Sequence, residues 1–343
     1  MKVNRWISSM GLIIVLSAGA LGCGGGSNGG STPEPLQPPR ELEITLDGAP
    51  GPENLGILMA QKRGYFKDVG LEVTVHQPIG PRRPVLYVAD KEVDLGVSHE
   101  PQVAVAQENG VPIVAVASLV PRPTAAMIWL KGSKIHGIAD LKGKTIAIPG
   151  LPFERGLLQS VLARAGLTPG DVKVEAVEYD LVQALARGRA DAIFGGSWSV
   201  EGVELAKRGL KPVVKRMQSL GVPAYEELVL IVRRDRLDRE PRSIRNFIAA
   251  MNRGTAAAIE DPRAAVEAIV EADKELAGVT ASVPLVEAEV EEVLPLLSAT
   301  GRMNAGEAER LVTWMRGQGL LGRRASASAL LTNNYLTEFD QQS

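Results

Sequence analysis

The stretch that decides the fold class is Asp191-Ala192-Ile193-Phe194-Gly195-Gly196-Ser197-Trp198-Ser199-Val200-Glu201. Its apolar start is typical of a buried strand, the two glycines permit an unusual backbone turn, and a helix is expected at residues 200–207. The same order of strand, loop and helix recurs on both sides of this stretch. Alternation of this kind predicts an α/β fold with largely parallel strand pairing.

Two series of strands and helices lie before and after the apolar segment 125–130. The first predicts strands at 41–46, 71–75, 93–97 and 111–119, with helices at 55–62, 81–89 and 102–108. The second predicts strands at 145–148, 172–177 and 190–194, with helices at 154–165, 181–187 and 200–207. Strand 227–232 then carries the chain back, and helices follow at 242–259, 262–277, 284–298 and 304–318. We therefore expect two α/β lobes joined by two hinge strands: lobe 1 from 41–125 and 228–343, with a helical C-terminal region, and lobe 2 from 126–227.

The first 23 residues predict export from the cytoplasm. Lys2 and Arg5 precede an apolar run at 10–16 and a small-residue stretch at 18–22, the order found in signal peptides. Cys23, the single cysteine of the chain, ends this stretch, and the sequence Ala20-Leu21-Gly22-Cys23 resembles a bacterial lipobox. Residues 1–23 are thus expected to be a lipoprotein signal peptide with Cys23 as the site of lipid attachment, and the Gly/Ser- and Pro-rich segment 24–40 a flexible tether. A plain secretory signal with an incidental cysteine is the alternative.

Composition and motifs exclude several function classes. The formal net charge is −2 over 343 residues, which gives no electrostatic basis for nucleic-acid binding. The three histidines are scattered, no metal-ligand spacing or catalytic signature occurs, and the pair Glu226-Glu227 is interpreted as solvated. We expect no metal, no cofactor and no enzymatic activity.

The expected binding site lies in the loops that follow the strands, because ligands prefer the carboxyl ends of parallel strands and the interface between lobes. Trp198 offers a flat face, and Glu201 offers an acceptor at a helix start, although both could instead serve helix packing while Ser199 caps the helix. Acidic residues without a neighbouring arginine favour a ligand with N–H donors over a sulfonate or nitrate. The candidate ligand-binding residues are Asp47, Asn54, Ser98, His99, Glu100, Tyr179, Gly195, Gly196, Ser197, Trp198 and Glu201.

Four motifs resemble those of the SsuA/THI5 (NMT1-like) group, whose members have the type 2 periplasmic-binding-protein fold. They are Gly64-Tyr65-Phe66-Lys67-Asp68-Val69-Gly70-Leu71, Asp140-Leu141-Lys142-Gly143-Lys144-Thr145-Ile146-Ala147, Gly188-Arg189-Ala190-Asp191-Ala192 and Thr332-Asn333-Asn334-Tyr335-Leu336. The resemblance covers nearly all of residues 42–336. It implies a solute-binding protein that serves the permease of an ABC transporter on the extracytoplasmic side of a bacterial membrane.

Within that group the chain is most similar to proteins that bind the thiamine precursors formylaminopyrimidine or hydroxymethylpyrimidine. Their Leu-Asp-Trp signature corresponds to Leu46-Asp47-Gly48, and their Gly-Gly-Tyr-Trp-Asn-Trp-Glu-like segment corresponds to residues 195–201. The resemblance therefore assigns ligand contacts to Asp47, Trp198 and Glu201, whereas Gly48, Ser197 and Val200 replace aromatic residues.

The lost aromatic residues leave two other ligands open. Riboflavin is larger, and an alkanesulfonate such as taurine is bound by other group members. A remote alternative is a pyrimidine synthase like the eukaryotic members of the group, which make the pyrimidine from pyridoxal phosphate and histidine. The eukaryotic synthases have a cysteine-rich, iron-linked segment, whereas Cys23 is the single cysteine of this chain.

Overall fold

The computed structural model describes residues 38–278 and 281–337. The expected signal peptide, Cys23 and all of the expected tether before residue 38 lie outside the described residues. Ten strands are present within them: β1 (Arg40–Thr45), β2 (Leu71–His76), β3 (Leu95–Ser98), β4 (Ile113–Val120), β5 (Ala125–Leu130), β6 (Thr145–Ile148), β7 (Lys173–Ala176), β8 (Ala192–Ser197), β9 (Pro212–Arg216) and β10 (Leu228–Arg233). They form two five-stranded sheets, with strand orders β2-β1-β3-β10-β4 and β7-β6-β8-β5-β9.

Both sheets are mixed rather than largely parallel. β1 pairs in parallel with β2 and β3, and β6 pairs in parallel with β7 and β8, as expected for strands linked by helices. β10 is antiparallel to β3 and β4, and β5 is antiparallel to β8 and β9. The antiparallel pairs arise because β5 and β10 begin where the chain arrives from the other sheet. The sequence pattern shows that a segment is a strand but not the direction from which it enters a sheet.

The chain crosses between the sheets twice. The first crossing is the short segment 121–124 between β4 and β5, and the second is segment 217–227 between β9 and β10. The crossings are joined where the backbone N–H of Glu227 donates to the carbonyl of Val120 at 2.8 Å. We take the two sheets as the centres of the predicted lobes, and the lobe boundaries stay a prediction.

Thirteen α-helices surround the sheets in the described part of the chain. Those of the two strand series are α1 (Leu55–Lys62), α2 (Tyr65–Asp68), α3 (Arg83–Ala89), α4 (Glu100–Glu108), α5 (Pro152–Arg164), α6 (Leu181–Ala186) and α7 (Glu201–Lys207). After β10 come α8 (Arg234–Arg239), α9 (Pro241–Glu260), α10 (Pro262–Ala272), α11 (Val283–Val293), α12 (Ala305–Gly317) and α13 (Ala327–Leu330). Sequence periodicity did not predict β9, α2, α8 or α13, all of which are six residues or shorter.

Helix α9 shows why the C-terminal region is helical. Pro241 occupies the first turn, where its missing N–H costs nothing, and Ile244, Phe247, Ile248 and Met251 follow at helical spacing. These four side chains are buried, and burying each contributes about 1.5–3 kcal/mol. α9 packs so closely on α1 that a Cβ at Gly254 would lie 2.1 Å from the carbonyl oxygen of Gly56. A glycine is therefore required at the crossing.

The C-terminal region packs against elements that belong to or lie beside both sheets. Leu311 and Met315 of α12 belong to the same apolar cluster as Met127 and Trp129 of β5. Leu320, which follows α12, packs directly against Gly156 of α5, where an added Cβ would lie 2.1 Å from its Cδ2 atom. The sequence assigns these helices to lobe 1, and the structure shows that they also pack against strands and helices of the second sheet.

Candidate functional site

A cavity of about 380 Å³ lies between the loops of the two sheets. Most of its walls come from the segments that follow β1, β2, β3, β6, β7 and β8, the strands that pair in parallel within each sheet, and Thr124, Glu227 and Glu289 complete them. Parallel strands place their carboxyl ends at the same edge, so the loops converge there. The cavity therefore occupies the position that the strand pattern predicts for a ligand site.

The lining of this cavity is strongly acidic. His99 is the single basic side chain among the lining residues that the structure describes, and neither a lysine nor an arginine joins it. The acidic residues of the lining are Asp47, Glu53, Glu154, Glu178, Glu201, Glu204, Glu227 and Glu289.

Glu227 fixes the floor of the cavity at the crossing between the sheets. One carboxylate oxygen, Oε2, accepts the backbone N–H groups of Thr124 at 2.7 Å and Ala125 at 3.0 Å. The other, Oε1, lies 3.0 Å from Nδ1 of His99. Burial opposes the charge on His99, but the hydrogen bond and negative charge of Glu227 outweigh it and raise the pKa of His99 to about 9. A protonated His99 therefore faces a carboxylate whose oxygens are both occupied.

Glu53 connects the two sides of the cavity. It lies in a 3₁₀ turn, Pro52–Asn54, between β1 and α1. Its Oε1 accepts from the hydroxyl of Thr124 at 2.8 Å and from that of Ser197, at the end of β8, at 3.2 Å. Burial, assisted by the charges of Glu227 and Asp47, raises the pKa of Glu53 to about 8.

Glu154 and Glu201 occupy the first turns of α5 and α7. Glu154 Oε2 accepts the backbone N–H groups of Gly150 and Leu151, both at 2.8 Å. Glu201 Oε2 accepts the backbone N–H of Ser197 at 2.6 Å. Burial raises the pKa of Glu154 to about 8 and that of Glu201 to about 7, against the lowering effect of backbone N–H donors.

Asp47, Asn54 and Tyr179 form the rim of the cavity. Asn54 Nδ2 donates to Asp47 Oδ1 at 3.0 Å. The hydroxyl of Tyr179, from the loop after β7, donates to the backbone carbonyl of Asp47 across the opening at 3.0 Å. The Tyr179 ring lies 3.3 Å from the position that a Cβ at Gly48 would take. Tyr179 thus fills space that a larger residue at position 48 would need.

The structure brings together most of the residues singled out from the sequence. The candidates that line the cavity are Asp47, Asn54, His99, Tyr179, Gly195, Ser197 and Glu201. Ser98, Glu100 and Gly196 are buried beside the cavity rather than lining it. Glu100 accepts the backbone N–H of Glu226 at 2.7 Å through Oε2, so its position supports the second crossing.

Trp198 lies outside the cavity, in contrast to the expectation that its face contacts a ligand there. Its ring is covered by the guanidinium of Arg216 at 3.8 Å, and it borders a shallow surface depression with residues of α7 and β9. Strand β8 ends at Ser197 and the backbone turns at residue 198, so Ser197 lines the cavity whereas Trp198 lies on the other side. The alternative weighed from the sequence, that Trp198 serves packing, agrees with this placement.

Sequence reasoning missed Glu53, Glu154 and Glu227 as cavity residues. The interpretation of Glu226-Glu227 as solvated was wrong, since the two residues are 3% and 4% exposed. Glu226 accepts from the hydroxyl of Ser118 at 2.6 Å and from the backbone N–H of Asn304 at 3.0 Å. The sequence did indicate a helix start at Glu154, because a glutamate at the third position of a helix is typical of such starts, and Pro152 is the first residue of α5.

Among the described residues, no group of histidine, cysteine, aspartate or glutamate side chains has an arrangement that could hold a metal ion. No helix within residues 38–278 and 281–337 has the length and apolarity needed to cross a membrane.

Residues 51–265 match the family model described as NMT1/THI5 like. The chain belongs to this family. It is 30% identical over 302 residues to a putative thiamine biosynthesis protein of Haemophilus influenzae, a match covering 88% of this chain and 92% of the relative. It is 28% identical to the formylaminopyrimidine-binding protein of Halalkalibacterium halodurans, covering 80% and 84% of the two chains.

A more distant relative is an enzyme. The chain is 26% identical to a 4-amino-5-hydroxymethyl-2-methylpyrimidine phosphate synthase of Saccharomyces cerevisiae, covering 65% of this chain and 68% of the synthase.

The fold is that of periplasmic solute-binding proteins. The alkanesulfonate-binding protein SsuA from Xanthomonas axonopodis, solved with bound MOPS, superimposes with a TM-score of 0.68 at 18% identity, covering 86% of this chain and 99% of that one.

Proposed function

We propose that this protein captures a thiamine-precursor pyrimidine, formylaminopyrimidine or hydroxymethylpyrimidine, and delivers it to the permease of an ABC importer. In this proposal Cys23 carries the lipid anchor, and the binding domain works on the extracytoplasmic side of the membrane. The family membership and the 28% identity to a formylaminopyrimidine-binding protein support the ligand class.

The observation that carries the proposal is a set of carboxyl groups in the cavity that each have one oxygen with no donor from another described residue. Asp47, Glu154 and Glu201 each bind a protein donor through one oxygen. Among the described residues, no hydrogen bond from another residue reaches the second oxygen of any of them. A cavity in which several carboxyl oxygens have no protein donor selects a ligand with several N–H donors. Each hydrogen bond to a charged group contributes about 1.5–3 kcal/mol.

The helix starts around the cavity disfavour an anionic ligand. Helix N-termini attract anions through their free N–H groups, but α4, α5 and α7 already carry Glu100, Glu154 and Glu201 in their first turns. With His99 as the one basic lining residue in the described structure, a sulfonate or phosphate would meet several carboxyl groups and little positive charge. Both an alkanesulfonate and a phosphorylated substrate fit this cavity poorly.

An aminopyrimidine fits the same features. Its amino N–H lies beside a ring nitrogen, and a carboxyl group can pair with both. Tyr179 is the aromatic residue placed to stack on the ring, which adds about 0.5–1.5 kcal/mol. Its ring packs against Gly48, the position at which the related binding proteins have an aromatic residue. A volume of about 380 Å³ suits a small heterocycle.

Isothermal titration calorimetry tests the ligand. We expect hydroxymethylpyrimidine and formylaminopyrimidine to bind the purified protein, and taurine not to bind. Glu201→Gln should weaken pyrimidine binding by about 10- to 100-fold, because it removes one charged acceptor. Glu309→Gln on the exposed face of α12 is the control and should leave the affinity unchanged. Binding of taurine, or of riboflavin alone, would contradict the assignment.

The synthase relative supplies a second candidate function, which the cavity does not favour. A synthase that starts from pyridoxal phosphate must bind a phosphate group, and the lining described above opposes one. Incubation of the purified protein with pyridoxal phosphate, followed by mass spectrometry, should yield no pyrimidine product. Detection of that product would establish the enzymatic alternative.

A further inference from the structure

Glu53 differs from the other carboxyl groups of the cavity in the kind of donor that it binds. Glu154 and Glu201 accept backbone N–H groups at helix starts, which favour the ionised form. Glu53 receives no backbone N–H from the described residues, and its two contacts are the hydroxyls of Thr124 and Ser197. Hydroxyls can turn to donate or to accept, so this environment tolerates a neutral carboxylic acid.

Acidic residues from several elements line the cavity together with Glu53. Asp47 follows β1, Glu227 precedes β10, Glu201 begins α7, and Glu289 of α11 lines the same cavity. The one basic residue that lines the cavity in the described structure is His99, and it is held by Glu227 at 3.0 Å. Glu53 therefore has no basic partner among the described residues, and it is partly shielded from solvent. Repulsion and desolvation both favour keeping a proton on it, in agreement with the raised pKa of about 8.

We infer that Glu53 is a specificity-determining residue that acts as a neutral hydrogen-bond donor toward an acceptor atom of the ligand. This inference rests on the proposed function and deepens it. Oε1 is held by Thr124 and Ser197, so the proton resides on Oε2, which has no other partner in the described structure. A carboxylic acid kept neutral near pH 7 by its surroundings is an effective donor. Glu201 and Asp47 accept N–H groups, whereas Glu53 recognises a ring nitrogen or a carbonyl oxygen.

The consequence is a ligand class with both kinds of group. The cavity selects an uncharged heterocycle that carries N–H donors and at least one unprotonated acceptor. A simple organic cation, which has donors but no acceptor, leaves the proton of Glu53 unpaired and is disfavoured. Binding also becomes dependent on pH, since the donor is present below the pKa of Glu53 and is lost above it.

The test is a comparison of pH profiles among Glu53 variants. Hydroxymethylpyrimidine is titrated calorimetrically into the native protein, Glu53→Gln and Glu53→Ala from about pH 6.5 to about pH 9.5. Glutamine keeps a donor N–H and an acceptor oxygen but cannot ionise, and alanine keeps neither. His99, Glu154, Glu201 and Glu289 titrate in the same range in all three proteins, so the comparison rests on the difference between the profiles, which reports Glu53.

Near pH 7 we expect Glu53→Gln to bind within about threefold of the native protein and Glu53→Ala to bind about 10-fold or more weakly. Above pH 8 the native affinity should fall by about 10-fold per pH unit relative to that of Glu53→Gln. Parallel native and Glu53→Gln profiles, or equal losses in both variants near pH 7, would overturn the inference while leaving the pyrimidine assignment intact. Absence of binding to the native protein at every pH would instead overturn the proposed function, and the inference with it.

Discussion

Replacement of Glu227 by alanine should strongly destabilise the junction between the two sheets. The side chain is 4% exposed, and Thr124 and Ala125, whose N–H groups it accepts, are 1% and 6% exposed. The variant leaves two buried N–H groups without an acceptor, each costing about 1–3 kcal/mol. It also leaves His99 without its counter-charge. We expect the free energy of unfolding to fall by about 3–5 kcal/mol, the range found when one member of a buried charged pair is removed.

Urea denaturation followed by circular dichroism measures this loss. Glu309→Ala, on the exposed face of α12, should change the free energy of unfolding by no more than about 0.5 kcal/mol. Glu227→Gln provides a second readout by NMR titration. The pKa of His99, which Glu227 raises to about 9 against the effect of burial, should fall in that variant. A loss below about 1 kcal/mol in Glu227→Ala, or an unchanged pKa of His99 in Glu227→Gln, would refute this account of the junction.

Three further outcomes follow from individual contacts. Tyr179→Phe removes the hydrogen bond across the cavity rim. It should raise the dissociation rate of a bound pyrimidine by about 2- to 10-fold in stopped-flow experiments, and an unchanged rate would count against a closing role. Gly254→Ala should cost about 1–3 kcal/mol or more, because its Cβ would overlap the backbone of α1, whereas Gly317→Ala meets no atom within 4 Å and should be nearly neutral in thermal denaturation. Burial raises the pKa of Glu100 from 4.5 to about 8, so its stabilising protonated form is lost as pH rises through that range. Glu100→Gln should therefore lose less stability than the native protein between about pH 5 and pH 8, and equal losses in denaturant titrations would contradict this.

Most of the fold could be predicted from periodicity. Strand β6 and helix α1 have the predicted bounds, and most of the other predicted elements differ by a few residues at their ends. The apolar runs of β4 and β10 are buried almost throughout, so composition alone marks them. β9 was missed because its five residues show no alternation of apolar and polar side chains. A proline and two valines, all partly buried, are followed by two exposed basic residues. The expected largely parallel pairing did not extend to β5 and β10, since strand direction depends on where the chain enters each sheet.

The candidate site could be predicted only in part, for a physical reason. Asp47, His99 and Glu201 were found because they directly follow strands or begin helices, and parallel strands bring such positions together. Glu53 lies further along its loop, and Glu227 precedes a strand that runs in the opposite direction. Neither position has a local pattern that distinguishes a cavity residue from a solvated glutamate.

The sequence by itself determined the succession of strands and helices, the family motifs and the acidic character of the strand-end loops, because these depend on neighbouring residues. Only the tertiary structure decided which carboxyl groups face one another and which donors each receives. It placed Trp198 under Arg216 on the outside, and Tyr179 opposite Gly48 at the rim. It also gave Glu53 hydroxyl partners and negative neighbours instead of backbone N–H groups. Burial and distant charges set the protonation of a carboxyl group, and both are properties of the assembled fold rather than of any local stretch of chain.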